Sequence, residues 1–484
     1  MTISGAISNA LSGLRAAGRG AELVSSNISN ALTPGYSRRV LDLSASAITS
    51  SGGVQIDGIT RIFDASLAAD RRLAEAEQVA SENLATYYER FEQILGTPDL
   101  EASVSGRMSG FESSLITAAS RPDAPERLTA AVLDAGSLAN SLRDASDGIQ
   151  DARSVADRTI SQQLDQLNVA LEQVVALNTQ ITATQVQGGD VAALQDARQG
   201  VIDTIGVLVP VRDVPRDNGQ IALYTVGGAV LVDGTAAELE FHSSNLVTPY
   251  MSVGAGTLSG LTINGVSVRT DSEHGALRGG AIGSQFAIRD ELGVEAQEQI
   301  DSIARDLVER FQDPNVDTTL AVGDAGLFTD SGGFFDPINE LGLSSRLELN
   351  AAVDPDQGGE TWRLRDGINA VTPGSVGDAT LLTAMSDVLT EARVPASGGF
   401  GGSAFAAIDL VALVTSDTSN RVRISEQELS YTNARLTELT ERQLADGVDS
   451  DAEIQRLLLI EQAYAANARM IAAADEMMQT ILRL

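Results

Sequence analysis

The sequence predicts an α+β, multidomain protein whose terminal helices form a coiled coil, with a long-helix rod domain and β-rich insertions in the middle. At both ends of the chain, apolar residues recur at alternating steps of four and three, the seam pattern of a coiled coil. Near-heptad spacing also runs through 128–181, enough for a helix roughly 80 Å long at about 1.5 Å per residue. Residues 206–275 then switch to glycine, β-branched residues and hairpin turn signals.

The N-terminal seam consists of Ile3, Ile7, Ala10, Leu14, Ala17, Ala21, Val24 and Ile28. Its alanines leave room for a close partner helix. An Asn/Ser-rich run ends the periodicity, and Pro34-Gly35 reads as the centre of a type II turn, with proline setting φ and glycine supplying the positive φ. Residues 40–62 alternate loosely around Ser51-Gly52-Gly53, as a strand pair or an extended arm. Asp64 is placed to cap a helix reaching Leu95, with Leu84, Tyr87, Phe91 and Ile94 on one face. A further helix carries Val104, Met108, Phe111 and Leu115, and Arg121-Pro-Asp-Ala-Pro125 breaks it.

The long periodic segment starts at Leu128 and ends before Gly188-Gly189, after which Asp190 can cap a helix carrying Leu194, Val201 and Ile205. Turn signals at Asp217-Asn-Gly219, Asp233-Gly234 and Asn264-Gly265 punctuate the β-rich stretch. Helical spacing returns over 284–312, while 313–403 reads as loops and short strands. A last helical stretch covers 405–445. The C-terminal helix repeats the heptad stepping through Leu457, Ile460, Tyr464, Asn467, Ile471, Ala474, Met478 and Ile481, and Ser450-Asp-Ala-Glu453 matches a capping box. The expected organisation is nested: 1–62 with 447–484 as the axial core, 63–205 with 276–312 and 404–446 as the helical rod, and 206–275 and 313–403 as insertions.

The run Asn27-Ile-Ser-Asn30-Ala-Leu-Thr-Pro34-Gly35-Tyr36-Ser37-Arg38 resembles the N-terminal signature of bacterial flagellar axial proteins. The tail from Ile460 to Leu482 is similar to the C-terminal signature of the same rod, hook and hook-associated group, and the Gly-Tyr-Ser-Arg form is similar to that of the hook-associated proteins. Those proteins commonly continue with glutamine, where this chain has Arg39. The resemblance implies a structural role at the hook–filament junction, outside the cell, after type III export without a cleaved signal peptide. It also implies as partners the hook protein, another hook-associated protein, further copies of this chain in a ring, and an export chaperone on the C-terminal region. On this reading Ile3, Ile7, Leu14, Val24 and Ile28 are subunit-interface residues of the N-terminal helix, and the C-terminal seam residues are their counterparts.

Composition narrows the alternatives. Against 66 acidic residues stand 33 basic ones, all arginine, for a net charge of −33. Such a surface repels phosphate backbones and anionic membranes, so nucleic-acid binding is not expected. Without lysine there is no Schiff base and no P-loop lysine, and without cysteine no disulfide or thiolate metal site. No run of about 18 apolar residues is present to insert in a membrane. His242 and His274 sit in no metal-ligand spacing, and no GxSxG elbow places a nucleophile. Asp313, Asn315 and Asp317 begin like a calcium loop, but Thr318 stands where the turn needs glycine. No cofactor, metal or catalytic residue is therefore expected. The competing readings are a hook or distal-rod protein and, from another class, a secreted acidic enzyme with helical oligomerisation arms.

Overall fold

The computed structural model describes residues 2–33, 35–45 and 52–483. Pro34 of the signature and Ser51 of the strand-pair turn lie outside the described residues. In chain order the first elements are α1 (Ile3–Ser29), β1 (Arg39–Ala45), β2 (Val54–Arg61), α2 (Ala65–Leu95), α3 (Val104–Ser120), α4 (Pro125–Val186) and α5 (Ala192–Leu208). Short strands follow: β3 (Val211–Pro215), β4 (Ile221–Thr225), β5 (Val230–Asp233), β6 (Thr235–Ala236), β7 (Leu239–Glu240), β8 (Leu261–Ile263) and β9 (Val266–Val268). Then come α6 (Gly280–Ala287), a π-helical turn (Ile288–Leu292), α7 (Gly293–Phe311), β10 (Phe328–Asp330), α8 (Leu343–Arg346) and β11 (Leu347–Leu349). The chain closes with α9 (Arg363–Asp366), α10 (Thr380–Thr390), α11 (Ala407–Ala445) and α12 (Ser450–Leu482).

These elements form two compact units. One comprises Met1–Gln78, Asp165–Glu238 and Thr432–Leu484; the other comprises Val79–Leu164 and Leu239–Tyr431. Three of the crossings fall inside the unbroken helices α2, α4 and α11.

The first unit is organised by α1 packing on α12. Beside them β1 and β2 make an antiparallel hairpin with a register shift between Asp42 and Leu43. The strands β3-β4-β5-β6 form an antiparallel sheet whose Ala222, Leu223, Leu231 and Val232 are buried. That sheet is pinned to α4 by Asn178, whose Nδ2 donates to the Ile221 carbonyl (2.9 Å) and whose Oδ1 accepts from the Ile221 N–H (3.3 Å). The turn before β4 runs through Asn218 and Gly219 at φ 56° and 72°, a left-handed pair that asparagine and glycine tolerate best.

Asp64 caps α2 as the sequence placed it, whereas at α5 the N-cap is Val191 and Asp190 lies one residue before it. Asp64 accepts from the N–H groups of Ser66 and Leu67, and Asp190 accepts from that of Ala192. Pro125 opens α4 at a position whose N–H has no helical partner anyway. The 62 residues of α4 span on the order of 90 Å.

The second unit holds the larger apolar core, in which Met108, Phe111 and Leu115 of α3, Leu128, Val132 and Leu142 of α4, and Ile300, Leu307 and Phe311 of α7 are buried together. Phe111, Phe311 and Phe328 form a mutually tilted triad with ring centroids 5.3–5.8 Å apart. One expectation is corrected here. Residues 313–403 are not only loops and short strands, because α10 forms within them and buries Leu382, Met385 and Leu389 against the same core. Its start is held by Asp378, which accepts from the N–H and hydroxyl of Thr380.

Candidate functional site

The signature residues converge where the end of α1 meets the start of α12. Asn27 is fully buried and satisfies its whole amide. Its Nδ2 donates to the Arg39 carbonyl (2.9 Å) and to Glu453 Oε2 (3.0 Å), and its Oδ1 accepts from the Tyr36 hydroxyl (2.8 Å) and the Arg39 N–H (3.0 Å). A buried amide needs all of these partners, since each one left out costs about 1–3 kcal/mol.

The chain reaches this geometry through a tight turn. Asn30 caps α1, its Nδ2 donating to the Ser26 carbonyl, and the Tyr36 N–H closes onto the Thr33 carbonyl at 3.1 Å. Gly35 takes φ 77°, the conformation expected of the third residue in a type II turn. Ser37 is buried, and Arg38 extends its Nε to Glu453 Oε1 at 2.8 Å.

Glu453 corrects the capping-box expectation. The N-cap of α12 is Asp449, which accepts from the N–H groups of Asp451 and Ala452. With the orphan donors satisfied from outside, Glu453 is free to turn inward, where its fully buried carboxylate accepts from Asn27, Arg38 and Arg456. Arg39, the departure from the usual signature, bonds Asp196 of α5 through Nη2 (2.7 Å) and lies over the Tyr36 ring. Asp196 also takes Arg61 of β2 at 2.6 Å. The signature thus ties α1, α12, the hairpin and α5 together.

Beyond this knot, α1 and α12 run antiparallel in layers seven residues apart. Asn27 meets Glu453, Gly20 meets Ile460 and Gly13 meets Asn467. A Cβ on Gly20 would lie 3.2 Å from Ile460 Cδ1, and one on Gly13 2.8 Å from Asn467 Nδ2, so glycine is what permits the approach. Ala10, Ala17 and Val24 of the anticipated seam are buried, whereas Ile3, Ile7, Leu14 and Ile28 are half-buried. On α12, Leu457, Ile460, Asn467 and Ile471 are half-buried and Ala474 is buried, while Tyr464, Met478 and Ile481 are exposed. Sequence reasoning missed Gly13, Gly20, Asp196 and the inward role of Glu453. The heptad spacing Gly13, Gly20, Asn27 was the available signal, invisible to a search for apolar residues.

The second unit contains the buried charges that chemistry would need, and each has a structural partner. Asp157 accepts from Arg289 Nη1 (2.8 Å), the Ser243 hydroxyl and the N–H groups of Ser244 and Asn245. Asp301 accepts from the N–H groups of Gly342 and Ser344, the Ser344 hydroxyl and Gln297, and burial raises its pKa above the usual aspartate range. His242 and His274 are both exposed. Asp317 of the incomplete calcium loop is buried and bonded to Thr319 and the Ile368 N–H. Among the described residues no cluster of three or more His, Asp or Glu side chains is arranged to hold a metal ion.

The chain is similar to known proteins along its whole length. Residues 88–339, a little over half of the chain, match the family described as flagellar hook-associated protein FlgK helical domain. Residues 445–484 match flagellar basal body rod FlgEFG protein C-terminal. Flagellar hook-associated protein 1 of Escherichia coli (strain K12) is 24% identical over 555 residues, covering 100% of both chains. Its counterpart in Bacillus subtilis (strain 168) is 21% identical over 94% of this chain and 93% of its own. A solved flagellar hook junction protein FlgK from Burkholderia pseudomallei is 20% identical, with a TM-score of 0.43 over 54% of this chain and 46% of that one. This chain belongs to the flagellar hook-associated FlgK family, structural proteins of the bacterial flagellum.

Proposed function

We propose that this chain is an adaptor joining hook to filament, and that it does so by packing α1 and α12 between neighbouring subunits. The observation that carries this reading is the outer surface of α12. Leu458, Leu459, Met470, Met477, Ile481 and Leu482 are each more than half exposed, along a helix whose other face is already taken by α1. Exposed apolar side chains recurring along a helix in this way mark a surface that is covered in the working state. Affinity then comes from area buried across many subunit pairs. The proposed partners are copies of the chain in a ring, the hook protein and another hook-associated protein, with an export chaperone engaging the C-terminal region beforehand. The working location is the extracellular flagellum, reached without signal-peptide cleavage, and no catalytic step is assigned to the chain.

The test is a strain whose only copy carries Leu458→Asp with Met477→Asp. The protein should keep its circular dichroism and its chain-length product while flagella show hooks without filaments and filament subunits appear in the medium. Normal filaments would overturn the proposal. The match of 445–484 to the rod-protein C-terminal family favours one alternative, a hook or rod component. A strain lacking the gene separates the two, since rods without hooks would establish the alternative.

A further inference from the structure

The first unit carries a cationic pocket apart from the α1–α12 seam. Five arginines, at 39, 61, 71, 72 and 198, gather around Glu75, Asp196, Asp203 and Asp213 in a chain whose net charge is −33. Arg39 and Arg61 share Asp196, Arg71 and Arg72 share Asp203, and Arg72 reaches Asp213 at 2.5 Å. Arg198 differs from the rest. It is 8% exposed, its Nη1 donates to Asn178 Oδ1 and the Gly219 carbonyl at 2.7 Å each, and among the described residues no carboxylate pairs with it. Among the described residues its Nε and Nη2 have no protein acceptor, and neither atom is shut off from solvent. Desolvation, reinforced by the nearby charge of Arg61, pulls its pKa down to about 10. Arg61 Nη2 is also buried without a partner.

Arg61 and Arg198 line one pocket of about 270 Å³. Among the described residues the only carboxylate on its wall is Asp213, already engaged by Arg72. Phe63, Ile202 and Ile221 give the same pocket an apolar side, with the Arg61 guanidinium 4.2 Å over the Phe63 ring. Arg198 feels Asp213 across the pocket but has no carboxylate bonded to it, and its planar fork suits one. The apolar wall suits methylene groups behind that carboxylate, which inorganic anions lack.

We propose that this pocket is a receptor for a carboxylate on a short aliphatic stem, supplied in the assembly by an aspartate or glutamate of a neighbouring copy of the chain. The second half of this proposal rests on the assembly role above. Copies that each carry −33 repel one another, and a receptor for acidic side chains converts part of that excess into an oriented attraction.

The experiment is a titration of the full-length chain with glutarate, followed by nuclear magnetic resonance of the arginine Nε–H signals, with inorganic phosphate as control. Saturable movement of the Arg198 signal by glutarate, and weaker binding of phosphate, is expected. Arg198→Gln should weaken glutarate binding about tenfold or more, the loss expected for a charge-assisted hydrogen bond, and Arg198→Lys should weaken it less. No saturable movement in the wild-type chain would overturn the proposal whether or not the variants fold, and equal binding of phosphate would overturn the aliphatic stem. In cells, folded Arg198→Gln should reduce the number of filaments per hook. Normal filament numbers in a variant that no longer binds glutarate would overturn the neighbouring copy as source, while the adaptor role would still stand or fall on the α12 variants.

Discussion

Asn27 and Glu453 stand 426 residues apart in the chain and meet at 3.0 Å, both fully buried. The contact requires an amide on one side, because Asn27 donates to the carboxylate while accepting from Tyr36 and the Arg39 N–H. Asn27→Asp would set two carboxylates against each other without solvent, at a cost of about 3 kcal/mol or more. The urea midpoint of the full-length chain should fall accordingly. Adding Glu453→Gln should restore part of the loss, since the new amide can donate to the new carboxylate.

Gly13 and Gly20 should respond differently to alanine. At Gly20 the added methyl meets only the tip of Ile460, and the helix gains about 1 kcal/mol in propensity, so the net change should be small. At Gly13 it meets the Asn467 amide, which is held by its bond to the Ala463 carbonyl. Gly13→Ala should therefore lower the thermal midpoint, and Gly13→Ala with Asn467→Ala should recover it.

Arg289 and Asp157 form an ion pair with both side chains shut from solvent. Arg289→Met leaves Asp157 charged and buried, although three other donors remain on its second oxygen. A loss of about 3–5 kcal/mol is expected, measured by denaturant unfolding. It should exceed the effect of Arg216→Met, whose pair with Asp233 is exposed.

Asp301 and Asp306 both have pKa values raised by burial above the usual 3.8. Between 3.8 and the raised values, the folded chain holds protons that the unfolded chain has released. Their contribution to stability thus grows as pH falls through the folded value and is lost as pH rises through it. Unfolding free energies of wild type and Asp301→Asn across pH 4–7 should show the wild type gaining on the variant toward the acid end, because only the wild type can take up this proton.

Much of this architecture was legible because helices announce themselves locally. The spacing of Val104, Met108, Phe111 and Leu115 and the position of Pro125 depend only on neighbours three or four residues away. The signature could likewise be marked out from Asn27 to Arg38. What it binds could not, because Glu453 has the local look of a capping residue and turns inward only once Asp449 has done the capping. Helix α10 escaped notice because its Leu382, Met385 and Leu389 are embedded in glycine- and proline-rich sequence, and their burial depends on α3 folding against them. The unit boundaries inside α2, α4 and α11 leave no mark in the periodicity, since the helices pass through them unbroken.

The antiparallel layers joining Asn27 to Glu453 also set a timetable. The ribosome releases α1 before α12, and the residue that completes its buried end is made 426 positions later. At about 5–20 residues per second, the newborn helix spends roughly 20–90 seconds without its mate. Closure of α1 onto α12 is therefore among the last events in the making of the molecule, after the hairpin and α5 have been able to pair through Asp196.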